Sequence, residues 1–379
     1  AAAGADAMTI VAEITLAVIL FTDASAVNLL RARADAASET RVLLIGFPLL
    51  VVAGAAAGSL LLPQLGWAGA PTDAALGAAV VGNRAVPERI RRILNVESGF
   101  NDGLAAPLVA FFIAVVAAQE VSGSRAIPAA LGDIAVGVAV GAAVGVIGAA
   151  ALLFGRHHWL SSSLSEDVGV LSLAVLSFVA AHAGAGNGVQ AALRGGVGVA
   201  RGRLREGLVV SETVAVVLSL LLWTVFGALM AAPMLTGAFQ WRPLLYALIS
   251  LVVLRAAAVT LSFIGSGAHL RTRLFIGWFG PRGLASAVFA IEAVLVLQHL
   301  APEVSSTLLT TTTWTILLSV ILHGSSARPL AARYAHWCTG LTGRAFERRA
   351  GGERIAHRRH SLGGPGAGLP SHGSTDPGG

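Results

Sequence analysis

Long apolar segments follow one another along most of this chain of 379 residues. A helix needs about 20 apolar residues to cross the hydrocarbon core of a bilayer. The segments that approach or reach this length cover residues 8–30, 41–62, 70–82, 96–118, 127–155, 166–184, 187–201, 207–232, 241–265, 272–297 and 305–325. Two of them, 70–82 and 187–201, are too short to span a membrane alone. We therefore predict an all-α, polytopic membrane protein.

Composition agrees with this class. The chain is 55% hydrophobic and 12% charged, whereas soluble domains carry about 25% charged residues. Its 45 glycines are typical of membrane helices that approach one another closely. The net charge of +6 does not indicate a nucleic-acid partner, because the arginines lie mostly in short loops and near the C-terminus. The single cysteine, Cys338, excludes a disulfide framework.

Arginine-rich loops alternate with loops that hold at most one arginine. By the positive-inside rule, this alternation places the N-terminus outside and the C-terminus in the cytoplasm. We expect one transmembrane domain over residues 1–340. Residues 341–379 are basic and then rich in Gly, Pro and Ser, so we expect a disordered cytoplasmic tail there.

One polar run interrupts the apolar segment 96–118. It holds Glu97, Ser98, Asn101 and Asp102, and on a helix these side chains share one broad face. An ionisable group at the centre of a bilayer costs about 2.5–3.5 kcal/mol, so such a group is a candidate functional residue. Oxygen ligands suit a hard cation, and a carboxylate that binds either a cation or a proton is sufficient for exchange. The alternative is a capping region at the water interface.

A second polar run, Pro71-Thr72-Asp73, lies in a short apolar segment. Proline removes a backbone donor and favours a helix break. Broken helices in secondary transporters present half-helix ends to ions, so Thr72 and Asp73 are candidates for an ion site. The alternative is a helix N-cap at the interface.

Two arginines, Arg255 and Arg282, also lie in apolar segments. A buried arginine needs an acidic or carbonyl partner, and Glu97 is the candidate partner for Arg255. We expect a structural role for Arg282. Asp23 is a further acid in an apolar helix, where it either lines a pathway or contributes hydrogen bonds between helices.

Motifs for nucleotide binding, nucleophilic catalysis and zinc binding are absent from the sequence. We therefore expect neither an enzyme nor a bound cofactor, and no ATP-driven transport.

These polar runs resemble the monovalent cation:proton antiporter family, in its sodium/proton exchanger branch. The strongest match is 70–77 (APTDAALG) followed by 86–103 (VPERIRRILNVESGFNDG). Residues 277–283 (GWFGPRG) and 318–324 (LSVILHG) are also similar to the family. The resemblance covers roughly residues 8–340. It implies an antiporter-like fold with inverted repeats and broken helices, and a homodimer in the inner (plasma) membrane.

The resemblance also implies the activity, which is exchange of Na⁺, or Li⁺ or K⁺, for H⁺ in pH homeostasis. Asp102 would bind the cation and the proton in turn. Ser98, Thr72 and Asp23 would complete the oxygen ligands of the monovalent cation, and Asp73 would support the crossed half-helices.

Asn101 occupies the position where electrogenic relatives carry a second aspartate, so the resemblance implies electroneutral exchange. Glu97 would pair with a buried arginine, either Arg255 or, failing that, Arg282. The membrane lipid, cations and protons are the other partners expected.

The sequence departs from the family pattern in two places. From the resemblance we expect further N-terminal helices before residue 8, and a longer helix before Pro71, than this sequence contains. Two alternatives to an active antiporter follow, namely a truncated homologue that does not transport, and a different solute carrier or channel on a related scaffold.

Overall fold

A computed structural model describes residues 13–22, 25, 37–63, 86–94, 97, 105, 108–109, 111–113, 115–116, 126–158, 162–183, 191, 195–196, 209–279, 284–342 and 345–348. Every regular element within these ranges is helical, and none of the described residues forms a strand. The prediction of an all-α protein is confirmed.

The helices are numbered in chain order. They are α1 (Glu13–Thr22), α2 (Ala37–Leu61), α3 (88–94), α4 (Ala126–His157), α5 (Ser163–Ala183), α6 (Val209–Phe226, Gly227–Ala231 and Ala232–Thr236), α7 (Trp241–Ile249, Ser250–Leu254 and Arg255–Ser262), α8 (Leu270–Trp278), α9 (Leu284–Leu297) and α10 (Pro302–Thr339). A short 3₁₀ turn follows at Phe346–Arg348. The middle part of α6 and of α7 is a π-helical turn, and α2 contains another at Val42–Gly46.

Five of the described helices are long and apolar enough to cross a membrane, namely α2, α4, α6, α7 and α10. Apolar stretches of α1 and α9 are shorter. Large apolar side chains such as Leu44, Leu60 and Ile321 are more than half exposed on these helices, which is the arrangement expected of a surface that faces lipid. Of the predicted segments, 70–82 lies outside the described residues, and 8–30, 96–118, 187–201 and 272–297 are described only in part.

Two boundaries differ from the predicted segments. The segment 272–297 contains two helices, because Phe279 leaves the helical region (φ −87°, ψ 52°) directly after α8. The sequence continues with Gly280-Pro281, and proline disfavours a helical conformation at the residue before it. The segment predicted to end at 325 continues as α10 to Thr339, because a buried stripe extends that helix.

The two largest clusters of buried side chains join most of the helices that matter for the site. The first joins α1, α5 and α9, with contributions from Ala105 and Val109. The second joins α3 and α8 to the C-terminal part of α10 and to Phe346. The second cluster fixes the helix that leads, in sequence, to Glu97.

Glycines on α4 allow another part of the chain to approach its backbone. A Cβ atom on Gly141 would overlap the backbone of Ala191, and one on Gly145 would overlap the carbonyl oxygen of Gly195. Gly132, on the same helix, has open space at this position. Small residues at such spacing permit close packing of helices in membranes, so the α4 glycines are packing positions.

We predict that Gly145→Ala lowers the free energy of unfolding by about 1–3 kcal/mol, because overpacking forces the backbone apart. Gly132→Ala is the matched control, and better helix propensity should leave it neutral or more stable by up to about 1 kcal/mol. Melting temperatures in detergent measure both. Equal melting temperatures of the two variants would contradict the close approach at Gly145.

Candidate functional site

A buried ion pair joins Glu97 to Arg255. The Arg255 Nη2 atom donates a hydrogen bond to Glu97 Oε1 at 2.5 Å. Only 2% of Arg255 and 7% of Glu97 are exposed, so water does not screen the pair. Charge-assisted hydrogen bonds of this kind are about twice as strong as neutral ones. The structure therefore brings together two of the residues that the sequence singles out.

Arg255 takes its position from an irregularity in α7. It is the first residue after the π-helical turn Ser250–Leu254, and π turns within helices are frequent at functional sites. The π turn in α2 packs against the last part of α7: a Cβ atom on Gly46 would lie 3.5 Å from Ser262 Oγ. Both helices therefore depart from regular α geometry where they enclose the guanidinium.

A cavity of about 10 Å³ lies against the ion pair, and Gly46, Leu50 and Ala258 contribute to its lining. The Arg255 Nε atom is buried and has no hydrogen-bond partner in the described part of the chain. A cavity of this size holds about one water molecule. One donor of the guanidinium thus remains available to a bound water.

Glu97 takes its position from α3. Ile90, Ile93 and Leu94 are buried in the second cluster, and the Ile90 backbone N–H donates to the carbonyl of Pro87, which opens the helix. Their i, i+3, i+4 spacing puts the three side chains on one face. Glu97 follows Leu94 in the sequence by three positions and is itself helical, so the packing of α3 determines where the carboxylate meets Arg255.

All seven of the other predicted site residues lie outside the described residues. These are Asp23, Thr72, Asp73, Ser98, Asn101, Asp102 and Arg282. Two neighbours of Asp23 are described. The Thr22 hydroxyl donates to the Val18 carbonyl at 2.7 Å. Ser25 Oγ lies 2.7 Å from the Phe21 carbonyl oxygen and 3.3 Å from that of Gly196. Both hydroxyls are thus bonded to backbone carbonyls, and Ser25 alone of the two also reaches another segment of the chain, at Gly196.

An apolar cavity of about 30 Å³ borders the part of the chain that follows Asp102 in sequence. Val109 and Phe112 line it together with Phe289 of α9 and Thr312 of α10. Thr312 Oγ1 is buried without a hydrogen-bond partner among the described residues. Hard cations need six or more oxygen ligands or water molecules around them, so this lining does not suit a cation.

The sequence predicts no role for Glu13 or Glu292, although both lie in apolar helices. In the structure α1 and α9 share one cluster, to which Leu16 and Val288 belong. Glu13 precedes Leu16 by three positions and Glu292 follows Val288 by four, so both acids continue the packed faces. The two carboxyl groups are close enough to interact electrostatically. The helical spacing between each acid and its buried neighbours is the sequence signal that could have located this pair of acids.

We predict that Arg255→Ala destabilises the protein by about 3–5 kcal/mol, because it leaves the buried Glu97 carboxylate uncompensated. The exposed Arg242 lies on the same helix, and Arg242→Ala should change stability by no more than about 0.5 kcal/mol. Thermal unfolding in detergent measures both variants.

A double variant shows how much of the stability lost in Arg255→Ala comes from the uncompensated charge of Glu97 and how much from lost packing. Glu97→Met with Arg255→Met removes both charges, so most of the stability lost in Arg255→Ala should return. An Arg255→Ala protein that melts like Arg242→Ala would show that the pair does not bear on stability.

Known proteins of similar sequence come from one family. A family model described as "Sodium/hydrogen exchanger, transmembrane" matches residues 2–333. In Schizosaccharomyces pombe (strain 972 / ATCC 24843), the protein named "Probable Na(+)/H(+) antiporter C3A11.09" is 26% identical over 294 residues, which are 67% of this chain and 38% of that protein. The "Na(+)/H(+) antiporter" of the same organism is 24% identical over 320 residues, 74% of this chain and 68% of that protein. The chain thus spans well under half of the first relative.

Solved structures match the fold. The sodium proton antiporter MjNhaP1 from Methanocaldococcus jannaschii at pH 8 gives a TM-score of 0.67 at 22% identity, covering 86% of this chain and 85% of that chain. An electron-microscopy structure of MjNhaP1 also gives 0.67 at 21% identity, over 84% and 83%. The predicted antiporter-like fold is confirmed. Because the family model matches nearly the whole transmembrane part, this chain belongs to the sodium/hydrogen exchanger family.

Proposed function

We propose that the protein is a secondary antiporter that exchanges Na⁺, or Li⁺ or K⁺, for H⁺ across a membrane. The observation that carries the proposal is the buried Glu97–Arg255 pair, because Glu97 belongs to the same polar run as Asn101 and Asp102. Membership of the sodium/hydrogen exchanger family supports the same activity. The ion gradients would supply the energy for transport.

Asp102 is the proposed exchanging acid. Glu97 is unsuited to that role, because its Oε1 atom already accepts a hydrogen bond from Arg255. A carboxylate held by a permanent cation gains little from binding Na⁺ or a proton. Asp102 lies five positions further along the sequence, and we assign it the alternating occupancy by cation and proton.

The remaining oxygen ligands come from short polar side chains. Ser98 and Thr72 would contribute hydroxyl or carbonyl oxygens to the cation, with Asp23 as a further acidic ligand. Asp73 would offset the positive end of a half-helix. Each binding event would then neutralise one carboxylate charge within the membrane.

The proposal includes the setting of the protein. It would be a homodimer in the plasma membrane that contributes to pH homeostasis, with a cytoplasmic C-terminus as the arginine distribution of the loops indicates. Residues 341–379 would form a basic cytoplasmic tail. Within them, Phe346–Arg348 forms a 3₁₀ turn with Phe346 and Glu347 buried, so this short part is packed against the transmembrane domain.

We predict that Asp102→Asn abolishes Na⁺-dependent proton flux in proteoliposomes, because an amide neither releases a proton nor carries the charge that attracts the cation. Glu303→Gln, at an exposed position on α10, is the control and should transport like the wild type. Retained exchange in Asp102→Asn would exclude the assignment of this acid. Wild-type vesicles without any flux would instead favour an inactive homologue.

Asn101 sets the proposed charge stoichiometry. With one titrating carboxylate, one cation is exchanged for one proton, and an imposed membrane potential should leave the wild-type rate unchanged. We predict that Asn101→Asp adds a second negative charge and makes the rate depend on the potential. Flux measurements with potassium gradients and valinomycin test this, and a potential-dependent wild type would contradict electroneutral exchange.

A further inference from the structure

The turn Phe346–Arg348 binds the start of α8 through Glu347, whose side chain is 0% exposed. Thr272 Oγ1 donates to Glu347 Oε1 at 2.6 Å, and the backbone N–H of His269 donates to the same oxygen at 3.1 Å. His269 Nδ1 lies 3.1 Å from both carboxylate oxygens. Because Thr272 gives its proton to Glu347, the Tyr334 hydroxyl is the donor to Thr272 Oγ1, at 3.0 Å. The carboxylate is thus bound on several sides.

Phe346 binds α3 through Arg89. The Arg89 Nη1 atom donates to the Phe346 carbonyl oxygen at 2.8 Å, and the guanidinium carbon lies 3.8 Å from the centre of the Phe346 ring. The ring also packs edge-on against Phe263, with 6.1 Å between ring centres. Arg89 Nη2 lies 3.4 Å from the hydroxyl of Ser38, which is in the first turn of α2. One turn therefore contacts α3 and the loop between α7 and α8.

The position of α3 matters because Glu97 follows it. Arg89 precedes Glu97 by eight residues, and Ile93 lies between them in the same cluster as Phe346. A displacement of α3 would change where the Glu97 carboxylate meets Arg255. The turn contacts α3 through Arg89 and through this cluster.

We propose that the Phe346–Arg348 turn is a latch that positions α3 and, through it, the Glu97 end of the ion site, with Arg89 as the positioning residue. This inference rests on the proposed function. It gives the segment after α10 a role in the affinity for the transported cation. The latch joins α10 and α8 to the helix that leads to the site, so opening it should loosen α3 without removing any ligand of the cation.

The charge of Glu347 keeps the latch closed near neutral pH. Burial raises the pKa of this carboxyl, but hydrogen bonds from Thr272, from backbone N–H groups and from His269 outweigh burial and hold the pKa below its ordinary value of 4.5. A lowered pKa contributes stability above the unfolded value, and that stability is lost as the pH falls through the folded value. Among the described residues, His269 contacts the Glu347 carboxylate directly. Tyr334, with Cys338 beside it, lies on the other side of Thr272, Arg89 lies over Phe346, and Arg271 and Arg273 are the cations of the adjacent first turn of α8.

The test compares Glu347→Gln and Arg89→Lys with the exposed controls Glu303→Gln and Arg333→Lys. The two latch variants should raise the KM for Na⁺ by between about twofold and thirtyfold, the range of coupling through packed networks, with the maximal rate largely kept. Hydrogen–deuterium exchange of peptides spanning 86–97 should be faster in both, and unchanged in the controls. The difference in melting temperature between wild type and Glu347→Gln should shrink as the pH falls below 4.5.

Either of two results would refute the proposed role of the turn. Folded variants with wild-type exchange at 86–97 would show that the turn does not hold α3, and faster exchange with an unchanged KM would show that α3 does not position the site. If Glu347→Gln fails to fold, the KM for Na⁺ and the hydrogen–deuterium exchange of Arg89→Lys alone test the proposal. A wild type without transport would refute the proposed function alone, and hydrogen–deuterium exchange would then decide whether the turn holds α3.

Discussion

A charge buried in a membrane-spanning protein has to be neutralised within the protein, and here Arg255 and Glu97 neutralise each other. The pair costs desolvation on both sides, and its attraction compensates only while the geometry is kept. α7 and α2 each carry a π-helical turn around the guanidinium, and the buried face of α3 holds the carboxylate. The pair therefore requires all three helices to keep their relative positions, next in sequence to the residues proposed to bind the ion.

This dependence gives separate roles to neighbouring acids. Glu97 is committed to Arg255, which leaves Asp102 as the acid of the run that is proposed to exchange a cation for a proton. The two largest clusters of buried side chains also hold different parts of the protein. One joins α1, α5 and α9, and the other anchors α3 against α8, α10 and the C-terminal turn. The turn lies outside the apolar segments, yet its contacts reach the helix that leads to the site.

Much of the fold follows from the sequence, because a bilayer leaves few choices for an apolar segment. The all-α class and most spans of the described part were predictable from length and hydropathy. The break after Trp278 was not predictable in this way, since the hydropathy of residues 272–297 indicates one apolar segment that continues across Gly280-Pro281. The extension of α10 depends on a buried stripe through Ala331 and Tyr334 that hydropathy does not detect. The ordered turn at Glu347 was not predictable for a similar reason. The composition of the basic, Gly-rich tail indicates disorder, and Thr272 and His269, the partners of Glu347, are brought to it only by the fold.

In the proposed mechanism, the cation and the proton compete for one carboxylate, that of Asp102. The most direct test is calorimetric titration of the purified protein with Na⁺ in buffers of different ionisation enthalpy, which counts the protons released on binding. Each Na⁺ bound should displace close to one proton at a pH below the pKa of the site, where the free carboxyl is protonated, and this release should be lost in Asp102→Asn. Sodium binding with no proton release at any pH would contradict the proposed mechanism.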